Sequence, residues 1–212
     1  MRPIVAGNKE GNHEPNAFHV PRRVHYPPLI GAGQSSRWGN LWVIPPREVW
    51  ESSELTPVEL MLWSFVVTAT GKAMLEVLPQ LQGGCINYFD AGNWGLHDHA
   101  EPQGPKTAPA FRKVHMHLLG RSRTAADPAW RWGEAPKFPD FSERRAWMAP
   151  FERLRAEECQ AIVGQVHTRL TTYYGMHASH IAPWAACHAC RYPTRIEPGQ
   201  AQSVCAECQH SS

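Results

Sequence analysis

Lys113-Val114-His115-Met116-His117-Leu118-Leu119-Gly120-Arg121-Ser122 is the stretch on which the reading of this chain turns. Polar and apolar residues alternate through its first half. Successive strand side chains point to opposite faces, so Lys113, His115 and His117 are expected on one face, and Val114, Met116 and Leu118 on the other. The alternation predicts a half-buried strand over 112–119, ended by Gly120-Arg121-Ser122. Residues i and i+2 of a strand lie about 6.5 Å apart on one face, so both imidazoles can reach one phosphate-sized anion. A neutral imidazole is a competent nucleophile at phosphorus, and a neighbouring cation such as Lys113 can steady the developing charge. The competing reading is a solvated strand face that happens to carry two histidines.

Outward from this strand, Asn40-Leu41-Trp42-Val43-Ile44-Pro45 is a short apolar run stopped by Pro45-Pro46, and predicts a buried strand. Thr56-Pro57-Val58-Glu59 is a capping box with proline at the first helical position. It opens a helix expected from Pro57 to about Leu78, with Leu60, Trp63, Val67, Met74 and Leu78 as the apolar stripe. Gly83-Gly84 precedes a second strand, Cys85 to Phe89. Residues 91–110 read as a long loop carrying His97 and His99, either a lid or a plain surface loop. Residues 125–140 read as an irregular crossing segment rich in Pro and Trp. A helix is expected from about Pro150 to Tyr174, with Gly175 as its C-cap.

The chain has 212 residues, 21 Lys plus Arg against 19 Asp plus Glu, and 42% apolar residues. That length suits one domain with an appendage or two small domains. Nine Trp, seven Phe and five Tyr are too much aromatic surface to leave solvated, which excludes disorder throughout. A formal charge of +2 supplies little long-range field for coating nucleic acid, so that partner is not expected. No run of about 18 apolar residues predicts a membrane span. The first 15 residues lack an apolar h-region, so a cytoplasmic location is the expectation, with thiols reduced or metal-bound.

The segment 113–122 resembles the histidine triad (HIT) motif, His-φ-His-φ-His-φ-φ, which is often followed by Gly-Arg or Pro-Arg. Further matches stand upstream in the same order as in that family. Gly39 to Val49 is similar to its G-H-φ-φ-V-I-P-K-R-H-V strand. Leu55 to Leu60 is similar to its L-T-P-E-E-L helix start, and Cys85 to Phe89 followed by Ala91-Gly92 to its Asn-containing strand. The resemblance covers about residues 25–125. It implies an α+β fold, a HIT-like antiparallel sheet of five strands with helices packed on one face. It also implies hydrolysis or transfer at the α-phosphate of a nucleotide-containing substrate, for example a dinucleoside polyphosphate, through a nucleotidyl-histidine intermediate. The nucleophile then falls on His115, the phosphate-contacting His on His117, and the substrate-contacting Asn on Asn87. Homodimers are common in the family.

Three positions depart from the pattern. Lys113 stands where the first triad His is expected, Asn40 stands for the His of the Gly-His pair, and Ala108-Pro109-Ala110 replaces a hydroxyl-bearing stretch. His97, His99, Ser122 or Lys113 are candidates to replace that hydroxyl's service to the leaving group. Lys113 is read as a catalytic-site cation and Asn40 as a substrate contact. The alternative from a different class is a non-catalytic nucleotide-binding module whose C-terminal segment docks a protein or nucleic acid.

That C-terminal segment carries Cys187-His188-Ala189-Cys190 and Cys205-Ala206-Glu207-Cys208. Two C-x-x-C pairs at this separation predict a closed tetrahedral site, so structural zinc on Cys187, Cys190, Cys205 and Cys208 is expected. His188 and His210 are alternative ligands. Cys85 and Cys159 are read as buried apolar residues, and Arg22, Arg23, Arg121 and Arg123 as either phosphate contacts or, as is commoner for scattered cations, solvated side chains. The expected organisation is an irregular arm over 1–24, a HIT-like domain over 25–125, a crossing segment and helix over 126–175, and a zinc segment over 176–212.

Overall fold

The computed structural model describes residues 39–90, 93–125, 127–138, 140, 143, 146, 154–177, 181, 184–195, 204 and 208. The expected N-terminal arm lies outside them, as do Cys205, His180 and His210. The chain is a mixed α+β structure with a small antiparallel sheet. Strands β1 (Asn40–Val43), β2 (Cys85–Phe89) and β3 (Met116–Arg121) pair antiparallel in the order β1-β3-β2. Among the described residues this sheet has three strands, where the resemblance implies five. A separate two-stranded ribbon joins β4 (Trp184–Ala186) and β5 (Pro193–Arg195).

Helix α1 (Pro57–Val77) starts where the capping box places it. Thr56 N–H donates to Glu59 at 2.8 Å, and Glu59 N–H donates to the Thr56 hydroxyl at 3.3 Å. Its buried face is Trp63, Val66, Ala69, Ala73 and Met74, and Trp63 Nε1 donates to the Val43 carbonyl at 3.2 Å, tying helix to sheet. By length and composition α1 is apolar enough to cross a membrane. Here that face packs on the sheet and on α3. Two members of the expected stripe differ: Leu60 is exposed and Val67 half-buried. Gly71 leaves room for Tyr88 of β2, whose hydroxyl would have to shift to make way for a methyl there.

Helix α2 (Ala108–Phe111) is a single turn inside the loop that joins β2 to β3. Helix α3 (Ala156–Thr172) starts later than expected and buries Cys159, Ile162, Val163, Val166 and Leu170, a spacing of three and four that makes one apolar stripe. Gly175, at φ +62°, lets the chain reverse so that Met176 N–H closes on the Leu170 carbonyl at 3.0 Å. Phe65 of α1 stacks on Tyr174 at 4.6 Å, and Arg169 Nε donates to Glu76 at 3.2 Å.

One core joins these parts. Leu41, Val43, Val114 and Leu118 of the sheet side bury with the α1 and α3 faces, and with Leu154 and Ile181. On the opposite face, Leu119 buries with Trp130, backed by Ala129 and Phe138. The sheet is therefore covered on both sides, by helices on one and by an irregular segment on the other.

Candidate functional site

The alternation over 113–119 has the phase that the sequence predicts, but the regular ladder begins at Met116 and runs through Gly120 and Arg121. Val114, Met116 and Leu118 turn to the helix side. Register then fixes what surrounds the imidazoles. His117 stands opposite Trp42 of β1 and Phe89 of β2, Leu119 opposite Asn40 and Asn87, and Arg121 opposite Cys85. Directly opposed residues share a face. The sheet thus brings His115, His117, Asn40, Asn87, Trp42 and Phe89 to one face, with the asparagines one row of side chains from the histidines.

His115 Nε2 and His117 Nε2 are 3.0 Å apart, and His115 Nδ1 is 2.7 Å from the Lys113 carbonyl. A carbonyl only accepts, so its partner assigns the proton to Nδ1 and leaves the Nε2 lone pair of His115 free to accept from His117 Nε2–H. Trp42 packs against both rings, at 5.0 Å from His115 and 5.2 Å from His117. Phe89 lies 6.2 Å from His117 and is itself stacked on Phe138 at 5.6 Å. The pair is half-buried, at the end of the sheet where the loop after β1 and the loop before β3 converge.

Asn40 is 6% exposed and its Oδ1 is buried with no hydrogen-bond partner. Asn87 Oδ1 accepts a long contact from the Cys85 thiol at 3.9 Å. Lys113 precedes the ladder, and its ammonium, on a side chain about half exposed, is paired with Glu48 at 3.2 Å. Of the other candidates for the missing hydroxyl, Ser122 is buried and hydrogen-bonded to Thr124 at 3.1 Å. His97 and His99 pair with each other in the loop, at 5.1 Å between rings. Two further expectations are corrected. Cys85 is exposed while Cys159 is buried as predicted, and Arg121 is only 3% exposed.

At the other end of the chain, the Sγ atoms of Cys187, Cys190 and Cys208 all lie within 4.8 Å of one another and could hold a metal ion. The turn that presents the first two is tightly formed. Cys187 N–H donates to the Tyr192 carbonyl at 2.8 Å and Arg191 N–H to the Cys187 carbonyl at 3.0 Å, with Arg191 at φ +65°. His188 between them is exposed. Tyr192 Oη donates to the Leu154 carbonyl at 2.9 Å, which docks this ribbon onto the start of α3.

Comparisons with protein-family models, with curated proteins and with solved structures each return no match. Phe89 and Phe138 were not among the sequence candidates. Phe89 has the same strand parity as Asn87, so alternation alone could have found it. Phe138 carries no such signal, because only the folded crossing segment brings it to the sheet.

Proposed function

We propose that the chain is a HIT-type enzyme that cleaves or transfers a nucleoside monophosphate from a nucleotide-containing substrate, such as a dinucleoside polyphosphate. The observation that carries this reading is the 3.0 Å His115–His117 pair with Nδ1 of His115 anchored at 2.7 Å on the Lys113 carbonyl. That anchor leaves Nε2 as the unprotonated nitrogen of His115, and on this reading the substrate phosphate takes over the His117 N–H that now points at it. On this reading Nε2 attacks the α-phosphorus, a P–N bond forms, and the P–O bond to the remaining phosphate chain breaks with its electron pair. The Lys113 carbonyl steadies the positive charge left on the imidazole, and His117 donates to a phosphate oxygen. Water or another acceptor then breaks the P–N bond and His115 returns to its starting state. Asn87 and Asn40 supply polar contacts one row away. At the metal site we propose zinc, with Cys205 completing the thiolate set.

The test uses a dinucleoside polyphosphate labelled at the α-phosphate. Quenching in alkali should trap label on the protein, and the label should be lost in acid as a phosphoramidate requires. His115→Ala should abolish adduct and turnover, and His117→Ala should lose about 10²–10³ in rate. Unchanged hydrolysis by His115→Ala rejects the mechanism. The pairing of Lys113 with Glu48, where a third imidazole would otherwise stand, favours a second reading: a nucleotide-binding module without turnover. Nucleotide binding with no adduct would support it.

A further inference from the structure

Residues Asp127 to Phe138 form a strap across the sheet face that carries the histidines. It is folded within itself: Trp130 N–H donates to the Asp127 carbonyl at 3.0 Å, and Lys137 N–H to the Ala129 carbonyl at 3.0 Å. Its hold on the sheet comes from Arg121. The Nη2 of that guanidinium donates to the carbonyls of Trp130, Arg131 and Glu134, at 3.4, 2.8 and 2.8 Å, and the group lies 5.6 Å from the Trp130 ring centre. No carboxylate among the described residues pairs with Arg121, and burial pushes its pKa down. Its Nε and Nη1 are buried without partners. A buried cation is costly, and an apolar residue here would extend the Leu119 cluster at less expense to folding. The feature that an apolar residue would not reproduce is the three-carbonyl clasp.

The strap ends at the site. Trp130 meets Phe138 edge-on at 5.5 Å, Phe138 stacks on Phe89 at 5.6 Å, and Phe89 borders His117 at 6.2 Å. We infer that Arg121 is a positioning residue: it clasps the strap, and through Phe138 the strap holds the Phe89 wall beside His117. This rests on the reading of the histidine pair as the site. Arg121 touches no reacting atom on that reading, so its loss acts on the shape of the wall and on ligand affinity more than on the chemical step.

The experiment uses the full chain with Arg121→Met and Phe138→Leu, the second leaving the clasp intact. Arg121→Met should speed amide exchange at Trp130 and Lys137 and shift the imidazole resonances of His117 in ¹⁵N-histidine-labelled protein. Phe138→Leu should shift the same resonances. Against a dinucleoside polyphosphate, both variants should raise KM about tenfold with kcat changed less than about twofold. A freed strap with His117 resonances unmoved overturns the inference, and so does an Arg121→Met strap whose exchange stays slow. If Arg121→Met does not fold, Phe138→Leu decides by the same resonances. If the native chain shows no turnover, the enzymatic reading fails, while the resonance shift still judges the clasp.

Discussion

At the scale of single residues, the strand parity of 113–119 is the most transferable observation. It is a property of covalent geometry, so it placed His115 and His117 together whatever the rest of the chain did. Lys113 shares the parity, and its ammonium is paired with Glu48. It sits before the ladder, and 52% of its side chain is exposed, so Glu48 in the loop after β1 claims its charge. Parity predicts a face; it does not say which neighbour waits there. If Lys113 serves a polyphosphate, that substrate must compete with Glu48. Glu48→Gln should therefore tighten binding of a dinucleoside polyphosphate roughly threefold at low ionic strength, with the gain lost in high salt as screening grows. Titration calorimetry at two salt concentrations checks it, and an unchanged affinity at low salt excludes a charge role for Lys113.

At the scale of elements, α1 began where Thr56-Pro57-Val58-Glu59 says it should, because a capping box is a local bargain between neighbouring groups. Burial pushes the Glu59 carboxyl up, but bonds from Thr56 and Arg47 and the Arg47 charge outweigh it and hold the pKa below its ordinary 4.5. A carboxyl with a lowered folded-state pKa adds stability above its unfolded value, and that stability is lost as pH falls through the folded value. Glu59→Gln should thus lower the unfolding midpoint at pH 7, by about 1 kcal/mol of stability, and make a smaller difference in acid, below the folded-state value. Thermal unfolding of both proteins at the two pH values checks it; an equal loss at both would assign the effect to packing. The stripe along α1 was less legible. Periodicity marks a face but not how far the partner extends, and the buried set begins at Trp63, beyond the first turn, leaving Leu60 exposed. The late start of α3 at Ala156 has a local cause of the same kind as Thr56: Arg155 N–H donates to the Glu158 carboxylate at 2.6 Å.

At the scale of the whole molecule, the cysteine ribbon is bound into the fold rather than trailing from it. Ile181 is buried in the main core, and Tyr192 bonds to Leu154, two residues before α3. A metal on Cys187, Cys190 and Cys208 would therefore support α3 as well as its own turn. Protein purified without added metal should carry about one zinc ion per chain. Chelation or Cys190→Ser should speed amide exchange over 184–195 and at the start of α3, and leave β1, β2 and β3 protected. A metal-free chain with a protected ribbon would remove the metal from the account.

Sequence by itself determined what depends on neighbours along the chain: strand parity, the cap at Thr56, the glycine reversal at Gly175, and the paired cysteine spacing. Each follows from geometry within a few residues. Tertiary structure alone decided what depends on which strands meet. The order β1-β3-β2 put Asn40 and Asn87 on either side of Leu119, and Trp42 and Phe89 on either side of His117. Those partners lie tens of residues apart, and a shift of one residue in either register would have sent them to the opposite face. The same holds for Arg121, which reads as a surface cation by type. It is buried because a strap that begins six residues later folds back over it and offers carbonyls to its guanidinium.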